Sequence, residues 1–78
     1  MRAYVRDLKA RTPCADCEQH YPHYIMDFDH RDGVEKVADI NALMSALSWT
    51  KLLAEIKKCH VVCSNCHRER TQQRLLSA

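Results

Sequence analysis

The 78-residue sequence predicts a small α+β domain, and three observations carry that reading. Two Cys-x-x-Cys pairs, Cys14-Cys17 and Cys63-Cys66, bracket most of the chain. Between and beside them lie two short β-rich runs, YIMDFDH and CHVVC, rather than one continuous helical pattern. Apolar residues elsewhere recur at three- and four-residue spacing, as in amphipathic helices. A chain this short buries little apolar surface, so a staple between its two ends is expected to supply part of the stability.

The elements follow in order. Residues 2–10 form a short helix with Tyr4, Val5 and Leu8 on one side, ended by Thr12-Pro13. Cys14-Ala15-Asp16-Cys17 is the first metal-binding turn. Tyr24 to His30 reads as a strand, whose period of two sets Asp27 and Asp29 on one face and Phe28 and His30 on the other. Arg31-Asp32-Gly33 is a turn, with the only glycine where a positive φ is needed. Val37, Ile40, Met44 and Leu47 make a helical stripe capped at Asp39 or Asn41. Ser48 caps a second helix carrying Trp49, Leu52, Leu53 and Ile56. These stripes, with Trp49 and Tyr24, are read as core. Cys59 to Cys63 is the second strand, and a last helix runs from near Cys66 to about Leu76.

Five cysteines mean either disulfides or a metal. The charged N-terminus, MRAYVRDLKART, lacks the apolar run of a signal peptide, and no stretch is long and apolar enough to cross a bilayer. Those features predict a reduced, cytoplasmic chain in which Cys14, Cys17, Cys63 and Cys66 bind one structural Zn²⁺ tetrahedrally. A shell of four thiolates leaves no position for water, so this ion holds structure and does no chemistry. Cys59 is left as a half-buried strand residue. His20, His23 and His60 are read as surface or turn residues. Net charge is +2, yet Arg68, Arg70 and Arg74 cluster on the last helix, which suits a phosphate backbone as well as a solvated face.

Asp29, His30 and His67 remain, and they are residue types that a second, catalytic metal site needs. If the staple joins the cysteine pairs, the start of the last helix is pinned beside the strand that carries Asp29. His67 then sits in that helix's first turn. A carboxylate and a neutral imidazole there hold a divalent cation, and His30 beside them activates water as a general base. Arg70 and Arg74 lie three and seven residues past His67, on its helix face, toward bound phosphates.

The joint pattern of Cys14-x-x-Cys17, Met26-Asp27-Phe28-Asp29-His30-Arg31-Asp32 and Glu55-Ile56-Lys57-Lys58-Cys59-x-Val61-Val62-Cys63-x-Asn65-Cys66-His67-Arg68-Glu69 resembles the zinc-containing HNH endonucleases over about residues 13–70. The resemblance implies a single nuclease domain over residues 1–78 with a ββα-metal core, cutting or nicking DNA. It implies that Asp29 and His67 hold Mg²⁺ or Mn²⁺, that His30 is the general base, and that Arg68, Arg70 and Arg74 meet the nucleic acid. It further implies a bacterial, phage or mobile-element setting, with no membrane partner. The chain would act as a monomer that nicks, as a dimer, or within a larger assembly. Near Lys58-Cys59, where the family has an Asn that orients the base, there is none. Either a backbone carbonyl of that stretch takes the role or the role is lost. Thr71 stands where relatives carry another His, which implies a cation held by two side chains plus water and phosphate. The alternative function is a non-catalytic, zinc-stabilised nucleic-acid-binding module.

Overall fold

The computed structural model describes residues 1–77. Its elements are α1 (Arg2–Arg11), a 3-10 turn (His23–Ile25), β1 (Met26–His30), α2 (Ile40–Ser45), α3 (Trp49–Ile56), β2 (Cys59–Cys63) and α4 (Ser64–Ser77). β1 and β2 pair antiparallel as a two-stranded sheet, in the register Met26↔Cys63, Phe28↔Val61 and His30↔Cys59. Opposed residues share a face, so Met26, Phe28 and His30 lie with Cys63, Val61 and Cys59. Asp27 and Asp29 lie with Val62 and His60 on the other face, and α4 supplies their partners.

A pair of strands is marginal alone, and two apolar clusters support this one. Val5, Ile40, Leu43 and Leu52 form the first, with Phe28, Met44 and Ile56 packed on it, so α1, α2 and α3 cover one side of the sheet. The second is built from Cys14, Met26, Val62 and Cys63, with Cys17, Tyr21, Ile25 and Cys66 around them. It lies where the two cysteine turns meet.

Several boundaries differ from the sequence reading, each for a local reason. The strand begins at Met26 instead of Tyr24, because residues 23–25 turn on a hydrogen bond from the Ile25 N–H to the Pro22 carbonyl. Tyr24 is therefore 75% exposed and stacks edge-on to His23, outside the core. Trp49, also expected in the core, is half exposed and meets Tyr4 edge-on at 5.4 Å. Val37 and Leu47 fall outside α2 and are exposed, leaving Ile40, Leu43 and Met44 as its apolar face. Asp39 does precede α2, but its carboxylate pairs with Lys36 instead of capping the helix. Ser48 caps α3 as the sequence suggests, its hydroxyl accepting from the Lys51 N–H. Gly33 has φ +82°, the left-handed conformation the turn requires.

α4 starts two residues earlier than the spacing suggested. Cys63 stands just before it, and its sulfur accepts the Cys66 N–H at 3.4 Å, which a serine or aspartate oxygen does at an ordinary helix start. Ser64 adds a bond from its hydroxyl to the Ile25 carbonyl at 2.9 Å. The first turn of α4 is thereby tied to both the cysteine cluster and the entry to β1. No helix among the described residues is long and apolar enough to cross a membrane.

Candidate functional site

Four sulfurs converge at one end of the sheet. The ligand atoms of Cys14, Cys17, Cys63 and Cys66 all lie within 4.8 Å of one another, and all five cysteines are free thiols. Tetrahedral Zn–S bonds of about 2.3 Å place sulfurs roughly 3.8 Å apart, so a small contraction closes the shell. Backbone amides already point at the sulfurs. Cys14 Sγ accepts from the N–H groups of Cys17 (3.5 Å) and Cys63 (3.4 Å). Burial alone would raise the Cys14 thiol, but these N–H donors overcome it and lower its pKa to about 6. The Cys66 thiol moves the opposite way, raised by its hydrogen bond to the Cys63 sulfur and by burial, because four crowded thiols cannot all ionise without a cation among them. The group could hold a structural metal such as zinc. Cys59 stands apart, its Sγ donating to the Glu55 carbonyl at 3.4 Å. Burial, then the carboxylates of Glu55 and Asp29, push its pKa up to about 11, as suits an inert strand thiol.

At the other end of the sheet the structure brings together the remaining sequence-selected residues. His67, in the first turn of α4, has its Nδ1 3.0 Å from Asp27 Oδ2 and its Nε2 3.5 Å from Asp29 Oδ1. Asp27, His30 and His67 line one cleft of about 420 Å³ between β1, α1 and the segment leading into α2. Asp29 is not among the residues that line this cleft and is 5% exposed.

Arg70 and Arg74 point inward instead of outward toward a ligand. Arg74 grips Asp29 with two hydrogen bonds of 2.9 Å and reaches Asp32 at 3.0 Å. Arg70 gives Asp29 one more at 2.9 Å and holds Asp16 in a two-pronged pair at 2.7 and 2.6 Å. It also donates to His60 Nδ1 at 3.0 Å. Burial would raise the Asp29 pKa, yet the Arg74 and Arg70 hydrogen bonds prevail and hold it at about 2. Arg68 is exposed on α4. The helix-face spacing read from the sequence is therefore right for Arg70 and Arg74, while their partners are this chain's own carboxylates.

His30 meets a residue that the sequence pattern sets within an apolar stripe. Its Nε2 lies 2.7 Å from Glu55 Oε2, on α3. Glu55 is 2% exposed and takes two further hydrogen bonds, from the Val37 N–H at 3.1 Å and from Lys58 Nζ at 3.1 Å. Burial would raise its pKa, but the bonds from Lys58, His30 and Val37 bring it down to about 2, so it is a carboxylate at neutral pH. Its signals in the sequence are a charge three positions after Leu52 on a helix's buried side and its place at the head of the run Glu55-Ile56-Lys57-Lys58-Cys59, to which the sequence reading gave no role. Asp16 and His60 also belong to this network, and spacing alone does not reveal them. Asp27 is legible only as a residue sharing the face of Asp29.

No family model, curated protein or solved structure matches this chain.

Proposed function

We propose that the chain is a metal-dependent DNA endonuclease of the HNH type, with β1, β2 and α4 as its ββα-metal core and zinc in the four-cysteine site. One observation carries this reading: His30 and His67 line a common cleft, and His67 Nε2 stands 3.5 Å from Asp29 Oδ1. Two ligand atoms bound about 2.1 Å from one ion sit roughly 3 Å apart at a right angle. The Asp29–His67 spacing therefore fits a divalent cation such as Mg²⁺ or Mn²⁺, with oxygen donors completing the shell. Such a cation supplies charge neutralisation at the scissile phosphate.

The chain's own residues do the rest. Arg70 and Arg74 keep Asp29 ionised, and Asp27 holds the His67 ring through Nδ1, which leaves Nε2 turned to Asp29. His30 takes the proton of the attacking water. Arg68, exposed on the same helix, meets the DNA backbone. Thiolate-rich shells select zinc over oxygen-loving cations, so the two metals are kept apart by ligand type.

The arginine pair on Asp29 favours a second reading, in which that carboxylate serves only an ion-pair network and the domain binds nucleic acid without cutting it. A supercoiled-plasmid assay separates the two. Zinc-loaded wild type should convert the plasmid to nicked circle in Mg²⁺ or Mn²⁺ and not with the divalent ion withheld. His30→Ala should lower the rate by about 10²–10⁴-fold with its circular dichroism unchanged. A folded, zinc-loaded wild type that retains DNA in a gel shift but never nicks it would establish the binding module instead.

A further inference from the structure

His30 is the last residue of β1, and the side chain that fixes its ring comes from another layer of the fold. Glu55 lies in the last turn of α3, and its carboxylate is held from three directions. Oε2 receives His30 Nε2 at 2.7 Å and the Val37 N–H at 3.1 Å, while Oε1 receives Lys58 Nζ at 3.1 Å. Lys58 is itself anchored on the Glu35 carbonyl at 3.0 Å. The Arg31 N–H, next to His30, binds the Lys58 carbonyl at 2.9 Å. Neither partner can drift without breaking several hydrogen bonds. With only 3% of its side chain exposed, Glu55 has little water to compete for those donors.

A carboxylate accepts hydrogen bonds and does not donate them. An imidazole nitrogen facing it must therefore carry the proton, which places the lone pair of the neutral ring on the other nitrogen. We propose that Glu55 is the positioning residue for His30, holding the ring as its Nε2–H tautomer so that Nδ1 is the nitrogen that accepts a proton. This inference rests on the endonuclease reading only for its use in catalysis; the tautomer itself follows from the contact. In the proposed reaction a water O–H bond breaks, its proton passes to Nδ1 and its oxygen bonds to phosphorus, while the P–O3′ bond breaks and the leaving 3′ oxygen takes a proton from solvent water. Glu55 stays ionised throughout and stabilises the imidazolium so formed. An acidic side chain on α3 thus takes the orienting role for which the stretch near Lys58-Cys59 offers no Asn.

A purely structural Glu55 would pin the loop before α2 and leave the ring's tautomer alone, so the tautomer is the readout to use. Long-range ¹⁵N–¹H correlation spectra of zinc-loaded protein without Mg²⁺, at about pH 8 where an ordinary imidazole is neutral, report which His30 nitrogen is protonated. Wild type should show the Nε2–H form alone. Glu55→Ala should show a mixture. Glu55→Met, which fills the same space without a competent acceptor, should show it too if the alanine variant does not fold. An Nδ1–H ring in wild type, or an unchanged single tautomer in a folded variant, overturns the proposal.

Plasmid nicking then tests the catalytic use. The Glu55→Met variant should lose about 10–100-fold in kcat, the usual cost of removing an orienting partner, with KM for plasmid nearly unchanged. Full activity in a variant with scrambled tautomers would overturn the positioning role. A wild type that does not nick, yet holds the Nε2–H form through Glu55, refutes the endonuclease reading while leaving the contact and its effect on the ring in place.

Discussion

At the Met26↔Cys63 end of the ladder, sulfurs and backbone N–H groups draw two turns together; at the His30↔Cys59 end, carboxylates, arginines and imidazoles do the same with charge. The first end is closed, apolar around its rim and made almost wholly of one residue type. The second is open to a cleft, and its central carboxylates each carry several donors. A closed thiolate shell is suited to holding a fold. An ionised cluster beside solvent is suited to chemistry, since its charges are kept in place without being capped off. The α4 helix joins the two, beginning at the Cys63 sulfur and reaching Asp29 through Arg70 and Arg74.

The largest effect is expected from breaking the cysteine end. Metal in four-thiolate sites contributes on the order of 10 kcal/mol to small domains. Cys63→Ser should therefore abolish the cooperative unfolding transition seen by circular dichroism, because it removes a ligand and the sulfur that starts α4. A chelator strong enough to strip zinc should do the same to wild type. A variant that still melts cooperatively would show that the charged end and the first apolar cluster suffice.

Breaking the charged end should cost less. Asp29→Asn removes the charge that three arginine hydrogen-bond groups share, but Arg70 and Arg74 can reach water. A loss of about 2 kcal/mol is expected from chemical denaturation of the zinc-loaded protein at pH 7. No loss would mean that the network is balanced by its own desolvation.

A binding comparison sharpens the roles of the α4 arginines. On the proposed nucleic-acid-binding reading, Arg68→Ala should weaken DNA binding and lower the salt slope by about one unit without changing the melting temperature. Arg74→Ala should lower the melting temperature, since Arg74 is spent on Asp29 and Asp32. The reverse pattern would mean that Arg74 leaves its carboxylates when DNA arrives.

The smallest effects belong to one turn at each end. Gly33 has φ +82° with nothing within 4 Å of an added Cβ, so Gly33→Ala should cost about 1 kcal/mol of backbone strain alone. Glu18, after the first cysteine turn, holds φ +65° without being glycine. Glu18→Gly should be stabilising by a few tenths of a kcal/mol, relief of strain being partly offset by the freedom glycine gains when unfolded. Chemical denaturation of both variants beside wild type measures the two changes.

Much of the first end is legible in the amino-acid sequence itself. Cys-x-x-Cys spacing aims two sulfurs at one point within a single turn, Ser48 and Gly33 act on their nearest neighbours, and strand alternation sorts Asp27 and Asp29 from Phe28 and His30. All of these depend on contacts a few residues apart, which spacing encodes directly. The same local logic puts His67 in the first turn of α4. The partners of the charged residues are not legible in this way. Arg70 meets Asp16 across 54 positions and His30 meets Glu55 across 25. A row of arginines on a helix reads identically whether it faces a phosphate or the chain's own carboxylates, because the pattern of charge carries no information about what stands opposite. That depends on how α3 and α4 pack on the sheet, and packing alone determined that Glu55 would reach the ring of His30.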